Sequence, residues 1–89
     1  MARIGIVTGG AQGIGKGILQ HLIAEGWRVA SIDKDGVAAR ALAADMPTDR
    51  LLSLQADVGD EAGVADAFAA IGQWLDGDEA PGIDLLVSN

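Results

Sequence analysis

The sequence predicts an α/β protein built on a parallel sheet, and three observations predict it. Four short apolar runs are spaced along the 89 residues. Segments of helical periodicity lie between those runs. A glycine-rich turn joins the first run to the first helical segment. Strict alternation gives the order βαβαβαβ, which requires parallel strands joined by right-handed crossovers.

The first run, residues 3–8 (RIGIVT), is of strand length and nearly continuous in apolar character, as suits a parallel strand covered on both faces. From Ile14, apolar residues recur at Ile18, Leu22 and Ile23 with Leu19 beside them, which is one face of a helix. Gly26 then stands where a residue just past a helix end is expected. Residues 28–33 (RVASID) form the second run. Residues 37–46 are Ala-rich and predict a short helix stopped by Pro47. The third run, 51–56 (LLSLQA), alternates more than the others and is expected nearer a sheet edge. Asp60 is a plausible N-cap for the third helix, with Glu61 favoured by the dipole of its first turn. Val64, Phe68, Ile71 and Leu75 step along that helix on one face. Residues 76–82 (DGDEAPG) read as a polar loop, and 83–88 (IDLLVS) as the fourth strand. A parallel sheet that stops there leaves an apolar edge open. Residues 1–89 are therefore expected to be the N-terminal part of a longer single domain.

Composition narrows the function. Charged residues make up 21% of the chain and hydrophobic ones 49%, which excludes intrinsic disorder as its main state. No apolar run approaches the roughly 20 residues of a membrane span, and no secretory signal is visible at the N-terminus. There is no Cys, hence no disulfide framework, thiolate metal site or Cys nucleophile. A cytoplasmic protein is expected. Six Lys and Arg stand against 13 Asp and Glu, a net charge of −7. Such a surface repels nucleic acid and anionic lipid. A small anionic ligand must then be held by local backbone geometry instead of a basic patch.

The turn from Thr8 to Gly15, TGGAQGIG, supplies such geometry. Gly9 lets the chain turn sharply off the strand. Gly13 lets the backbone approach a diphosphate, and Gly15 lets the helix pack closely. Gln12 and Ile14 lie within the same turn and join the candidate cofactor-binding set. The N–H groups and positive end of the helix face the anion. A tight turn without a ligand is the alternative, and the strand before it and the helix after it weigh against that. Asp33 ends the second strand, where the acidic residue of a dinucleotide site stands. It could accept from both hydroxyls of an adenosine ribose and would repel a 2′-phosphate, which selects NAD over NADP. Asp33 as a turn residue or helix cap is the competing reading, and Lys34 beside it could instead reach a 2′-phosphate. Asp57 could accept from an adenine amino group while Val58 packs on the ring. Asp57 as a cap of the next helix stands level with that reading.

Together these motifs resemble the short-chain dehydrogenase/reductase family. Its pattern TGxxxGxG matches Thr8, Gly9, Gly13 and Gly15. Asp33 matches the NAD-preferring subset, and Asp57 with Val58 matches the adenine-site pair. Residues 83–89, IDLLVSN, resemble the strand leading into the family's NNAG motif. Ser88 replaces its first Asn and Asn89 matches the second. Ile14 between two glycines resembles the single-domain branch more than the epimerase-like one.

The resemblance implies a Rossmann-type, doubly wound parallel sheet of which these residues give the first half, in strand order 3-2-1-4. It implies an NAD-dependent oxidoreductase acting on a small alcohol or carbonyl substrate, and a homodimer or homotetramer. It also implies a catalytic Ser, Tyr and Lys, none of which can be placed here. The sequence has no Tyr, and Ser31, Ser53 and Ser88 match no catalytic position. A non-catalytic dinucleotide sensor and a nucleotide-sugar epimerase remain the alternatives.

Other residues invite function without a pattern to support it. His21 is the sole His and lacks partners at metal-ligand spacing, so no metal site is expected. Asp76, Asp78 and Glu79 lack the ordered spacing of a calcium loop. Trp27 and Trp74 are expected to pack, and Lys16 to be a surface residue.

Overall fold

Seven elements follow one another: β1 (Ile4–Thr8), α1 (Gly13–Ala24), β2 (Arg28–Asp33), α2 (Gly36–Asp45), β3 (Leu51–Gln55), α3 (Glu61–Trp74) and β4 (Leu85–Val87). The computed structural model describes residues 3–46, 48–75 and 83–89. The expected polar loop 76–82, with its acidic residues, and the stop at Pro47 lie outside the described residues. The four strands form one parallel sheet in the order β3-β2-β1-β4. Register is set by Ile6, which lies opposite Ala30 on one side and Leu86 on the other.

The period of two along each strand sorts the core into two layers. Ile4, Ile6, Ala30 and Ile32 point to the face covered by Ala67, Ile71 and Leu75 at α3. Val7 and Val29 point to the opposite face, against Leu19 and Leu22 of α1 and Leu42 of α2. Helices therefore cover both faces, which is why β1 and β2 bury apolar residues on both sides of the sheet. β3 is an edge strand, as its alternation predicts. Its Ser53 hydroxyl donates to the Ala39 carbonyl of α2 at 2.7 Å. β4 forms the other edge, where Leu86 is 60% exposed.

Helix ends follow from local chemistry. Asp35 caps α2 and Asp60 caps α3. α1 ends at Gly26, with φ +91°. The Gly26 N–H bonds the Ile23 carbonyl and the Trp27 N–H bonds the Leu22 carbonyl, each at 3.0 Å. That pair is a Schellman motif, and Trp27 and Leu22 pack in the same core layer.

Two helical faces differ from the sequence reading. On α1 the buried stripe is Gly15, Leu19 and Leu22, while Ile14 is 77% exposed. On α3 it is Ala67 and Ile71, continued by Leu75, while Phe68 is exposed. A small residue holds a buried position on each of these helices, Gly15 on α1 and Ala67 on α3, and hydropathy alone gives such residues little weight. β4 is also shorter than residues 83–88. The Asp84 carboxylate takes the Ile4 N–H at 2.9 Å, and the Asp84 N–H bonds the Ile4 carbonyl at 2.8 Å.

Three arginines stand where strands begin. The Arg28 N–H bonds the Arg3 carbonyl, and the Val29 N–H bonds the Arg50 carbonyl. Arg3 stacks on Trp27 with 5.6 Å to the ring centre, and Arg28 on Trp74 with 4.6 Å. Both indoles are thus packing platforms for cations, at the end of the sheet remote from the glycine turn.

Candidate functional site

In an open parallel sheet, ligands bind beyond the carboxyl ends of the strands, where strand order reverses direction. Here that place is the end of β1, which has β2 on one side and β4 on the other. The chain leaves β1 at Gly9, with φ +66°, and the Gly9 N–H bonds the Ile32 carbonyl at 2.7 Å. A Cβ on the next residue, Gly10, would run into the Ser31 hydroxyl and lie 2.9 Å from a Leu19 methyl. Gly10 is thus a packing glycine that the motif reading passed over.

The two later glycines serve different needs. Gly13 has φ +55°, and a Cβ there would meet nothing within 4 Å. Its backbone conformation calls for glycine and the space above it is open. Gly15 is buried. A Cβ there would run into the Gly9 carbonyl oxygen and lie 2.7 Å from Asn89 Nδ2. Gly15 therefore lets α1 start directly against the turn out of β1.

The start of α1 differs from the other two helix starts. Gln12 at its N-cap makes no side-chain capping bond, and its first turn holds no acidic residue. Asp35 and Asp60 fill that role on α2 and α3. The start of α1 thus has no capping side chain, and the space beside Gly13 is open, which suits an anion.

Asp33 is 6% exposed. Its Oδ2 accepts from the Ala11 N–H at 3.2 Å and its Oδ1 from the Asp35 N–H at 3.0 Å. The carboxylate thus braces the glycine turn against the end of β2, a role the sequence did not disclose. Asp57 closes a small turn by accepting the Gly59 N–H at 2.8 Å. The cap of α3 is Asp60, not Asp57, and Val58 beside it is 56% exposed. Asn89 returns to the turn. Its Nδ2 donates to the Gly9 carbonyl at 3.3 Å and its N–H to the Thr8 hydroxyl at 3.0 Å. That hydroxyl donates to the Val87 carbonyl at 3.3 Å.

Gly9, Asp33, Asp57, Val58 and Asn89 line one cleft of about 240 Å³, and Thr8, Ile32 and Lys34 complete its wall. Five of the nine candidate residues thus meet there. Gln12, Gly13 and Ile14 are exposed at the start of α1, and Gly15 lies buried. Gln12 Nε2 donates to Asp35 Oδ2 at 3.4 Å. Elsewhere, Lys16 pairs with Asp45 at 3.4 Å and His21 with Glu25 at 3.9 Å, both on the surface. Among the described residues no group of three His, Asp or Glu could hold a metal ion, and no helix is long and apolar enough to cross a membrane.

The sequence model of the short chain dehydrogenase family matches residues 3–89. The chain is 43% identical over 75 residues to a 2-dehydro-3-deoxy-L-rhamnonate dehydrogenase (NAD(+)) of Sphingomonas sp., covering 80% of this chain and 29% of that protein. It is 33% identical over 91 residues to rat (Rattus norvegicus) 15-hydroxyprostaglandin dehydrogenase [NAD(+)], covering 98% and 32%. A 3-ketoacyl-(acyl-carrier-protein) reductase from Brucella melitensis, solved with NADH, superposes with a TM-score of 0.81 at 26% identity. That match covers 94% of this chain and 32% of the reductase. The chain thus spans about a third of the length of these proteins.

Proposed function

The chain belongs to the short-chain dehydrogenase family, and on that premise we propose that it forms the dinucleotide-binding part of an NAD(H)-dependent oxidoreductase. Its substrate would be a small alcohol or carbonyl compound. The observation that carries this reading is the uncapped start of α1 beside a cleft walled by Asp33, Asp57 and Val58.

Each residue then has a task. The N–H groups at Gly13, Ile14 and Gly15 receive the diphosphate, with Gly9 setting the turn and Gln12 at its rim. Asp33 accepts from the adenosine ribose hydroxyls. Each of its oxygens keeps a lone pair beyond the backbone N–H it already holds. Asp57 and Val58 border the adenine, and Asn89 lines the same cleft while fixing the turn through Thr8 and Gly9. When bound, the nicotinamide supplies or takes the hydride. The 89 residues hold no Tyr, so the proton-transferring Tyr implied by the family resemblance is not among them. Their share of the reaction is binding and orientation. Similar proteins named as dehydrogenases and a reductase favour an oxidoreductase over an epimerase or a sensor. A single domain extending past these residues, a homodimer or homotetramer, and a cytoplasmic location belong to the same proposal.

NADH is expected to bind at least about tenfold more tightly than NADPH, because Asp33 faces the added phosphate. Fluorescence titration with both cofactors tests this, and equal or tighter NADPH binding would overturn the NAD assignment. Valine at Gly13 is expected to weaken NADH binding more than about tenfold, because a β-branched residue resists positive φ. Its side chain would also enter the open space. Unchanged affinity with unchanged helix content by circular dichroism would refute the phosphate cradle.

A further inference from the structure

The loop after β2 carries a second carboxylate with an unusual set of partners. Asp35 stands at the N-cap of α2. Its Oδ1 accepts from the N–H groups of Val37 at 3.0 Å and Ala38 at 3.1 Å. Its Oδ2 accepts from Gln12 Nε2 at 3.4 Å. Its own N–H donates to Asp33 Oδ1, while Asp33 Oδ2 holds the Ala11 N–H. These bonds close a ring from Ala11 through Asp33 and Asp35 back to Gln12, tying the glycine turn to the start of α2.

A 2′-phosphate beside Asp33 would need hydrogen-bond donors. Of the N–H groups between Asp33 and the first turn of α2, those of Asp35, Val37 and Ala38 are already given to carboxylates of this loop. Lys34 lines the cleft and has no ion pair among the described residues. One ammonium therefore stands against two carboxylates.

We propose that Asp35 is a second specificity-determining residue, acting with Asp33 to exclude NADP(H). The proposal rests on the dinucleotide reading of the cleft. Asp35 acts in two ways. Its charge repels a phosphate dianion across the loop. Its carboxylate also occupies two N–H groups of α2, those of Val37 and Ala38, which would otherwise be free to receive an anion. Replacing Asp33 alone leaves the Asp35 carboxylate beside Lys34 and the helix start still capped, so it gives only part of the change in preference.

Asp35→Asn is the clean variant, because Asn caps a helix as well as Asp does and removes only the charge. Asp35→Ser serves as a second neutral cap should the first fold poorly. NADH and NADPH are titrated by nicotinamide fluorescence into the unmodified protein, Asp35→Asn, Asp33→Asn and the double variant. Asp35→Asn is expected to raise the NADPH-to-NADH affinity ratio about three- to fivefold, an effect that shrinks as added salt screens an exposed charge. The double variant is expected to exceed Asp33→Asn by a similar factor. If Asp33→Asn shifts the ratio but neither variant carrying Asp35→Asn shifts it further, the proposal fails and the dinucleotide reading stands. If the unmodified protein binds neither cofactor, both fail together.

Discussion

Alanine at Gly15 is expected to lower stability by about 1–3 kcal/mol, the range for forcing extra atoms into a packed site. It is also expected to weaken NADH binding more than about tenfold. The added methyl would run into the backbone carbonyl of Gly9, and a backbone atom cannot swing aside as a flexible side chain can. Either α1 or the turn must move, and both belong to the proposed diphosphate cradle. Gly17, two positions along the same helix, provides the internal control. A Cβ there meets nothing within 4 Å, so Gly17→Ala is expected to stabilise by about 0.5–1 kcal/mol through helix propensity. Thermal melts by circular dichroism with NADH titration check both. A Gly15→Ala protein as stable and as tightly binding as the parent would refute the close approach of α1 to Gly9.

Alanine at Asp33 is expected to have two effects that separate experimentally. It removes the acceptor of the buried Ala11 N–H and of the Asp35 N–H, and leaving a buried donor unmet costs about 1–3 kcal/mol. It also removes the charge proposed to discriminate between cofactors, so the preference for NADH is expected to shrink. Asp33→Asn retains an acceptor and isolates the second effect from much of the first. Arginine at this position would go further toward NADPH in charge alone. Yet the site is 6% exposed. A guanidinium placed there would lose both bracing bonds, as alanine does, and would also force a larger charged group into a buried position, so its stability loss should exceed that of alanine. Melting temperatures of the three variants beside their cofactor affinities test the order. Equal stability of Asp33→Ala and the parent would show that the bracing bonds contribute nothing.

Much of this architecture is written locally in the sequence. The four apolar runs, the caps at Asp60 and Gly26, and the glycine spacing from Gly9 to Gly15 each depend on a few neighbouring residues. Strand and helix assignments followed from them, and the family resemblance supplied the strand order. Contacts between residues distant in sequence were not legible. Asp33 was readable as a carboxylate at a strand end, but not as the acceptor of a backbone group 22 residues earlier. The buried stripes of α1 and α3 run through Gly15 and Ala67, residues that hydropathy ranks below Ile14 and Phe68. Gly10 was hidden because its constraint is the Ser31 hydroxyl on the neighbouring strand. Asp57 and Asp60 both stood as candidate caps of α3 in the sequence, and the bond from the Gly59 N–H to Asp57 shows that Asp57 closes a turn instead.

The latch formed by Asn89 has a consequence for the order in which the molecule is made. β1 acquires one neighbour early, since β2 begins at Arg28, and the other late, since β4 begins at Leu85. The βαβ unit of β1, α1 and β2 closes over a short stretch of chain. The bonds from Asn89 to Gly9 and Thr8 span 80 and 81 residues. Contacts of that sequence separation form slowly, after the entropy of loop closure has been met. A nascent chain emerging N-terminus first therefore presents its glycine turn long before the residue that secures it. On the dinucleotide reading proposed above, the glycine turn is secured for its cofactor only when β4 docks on β1.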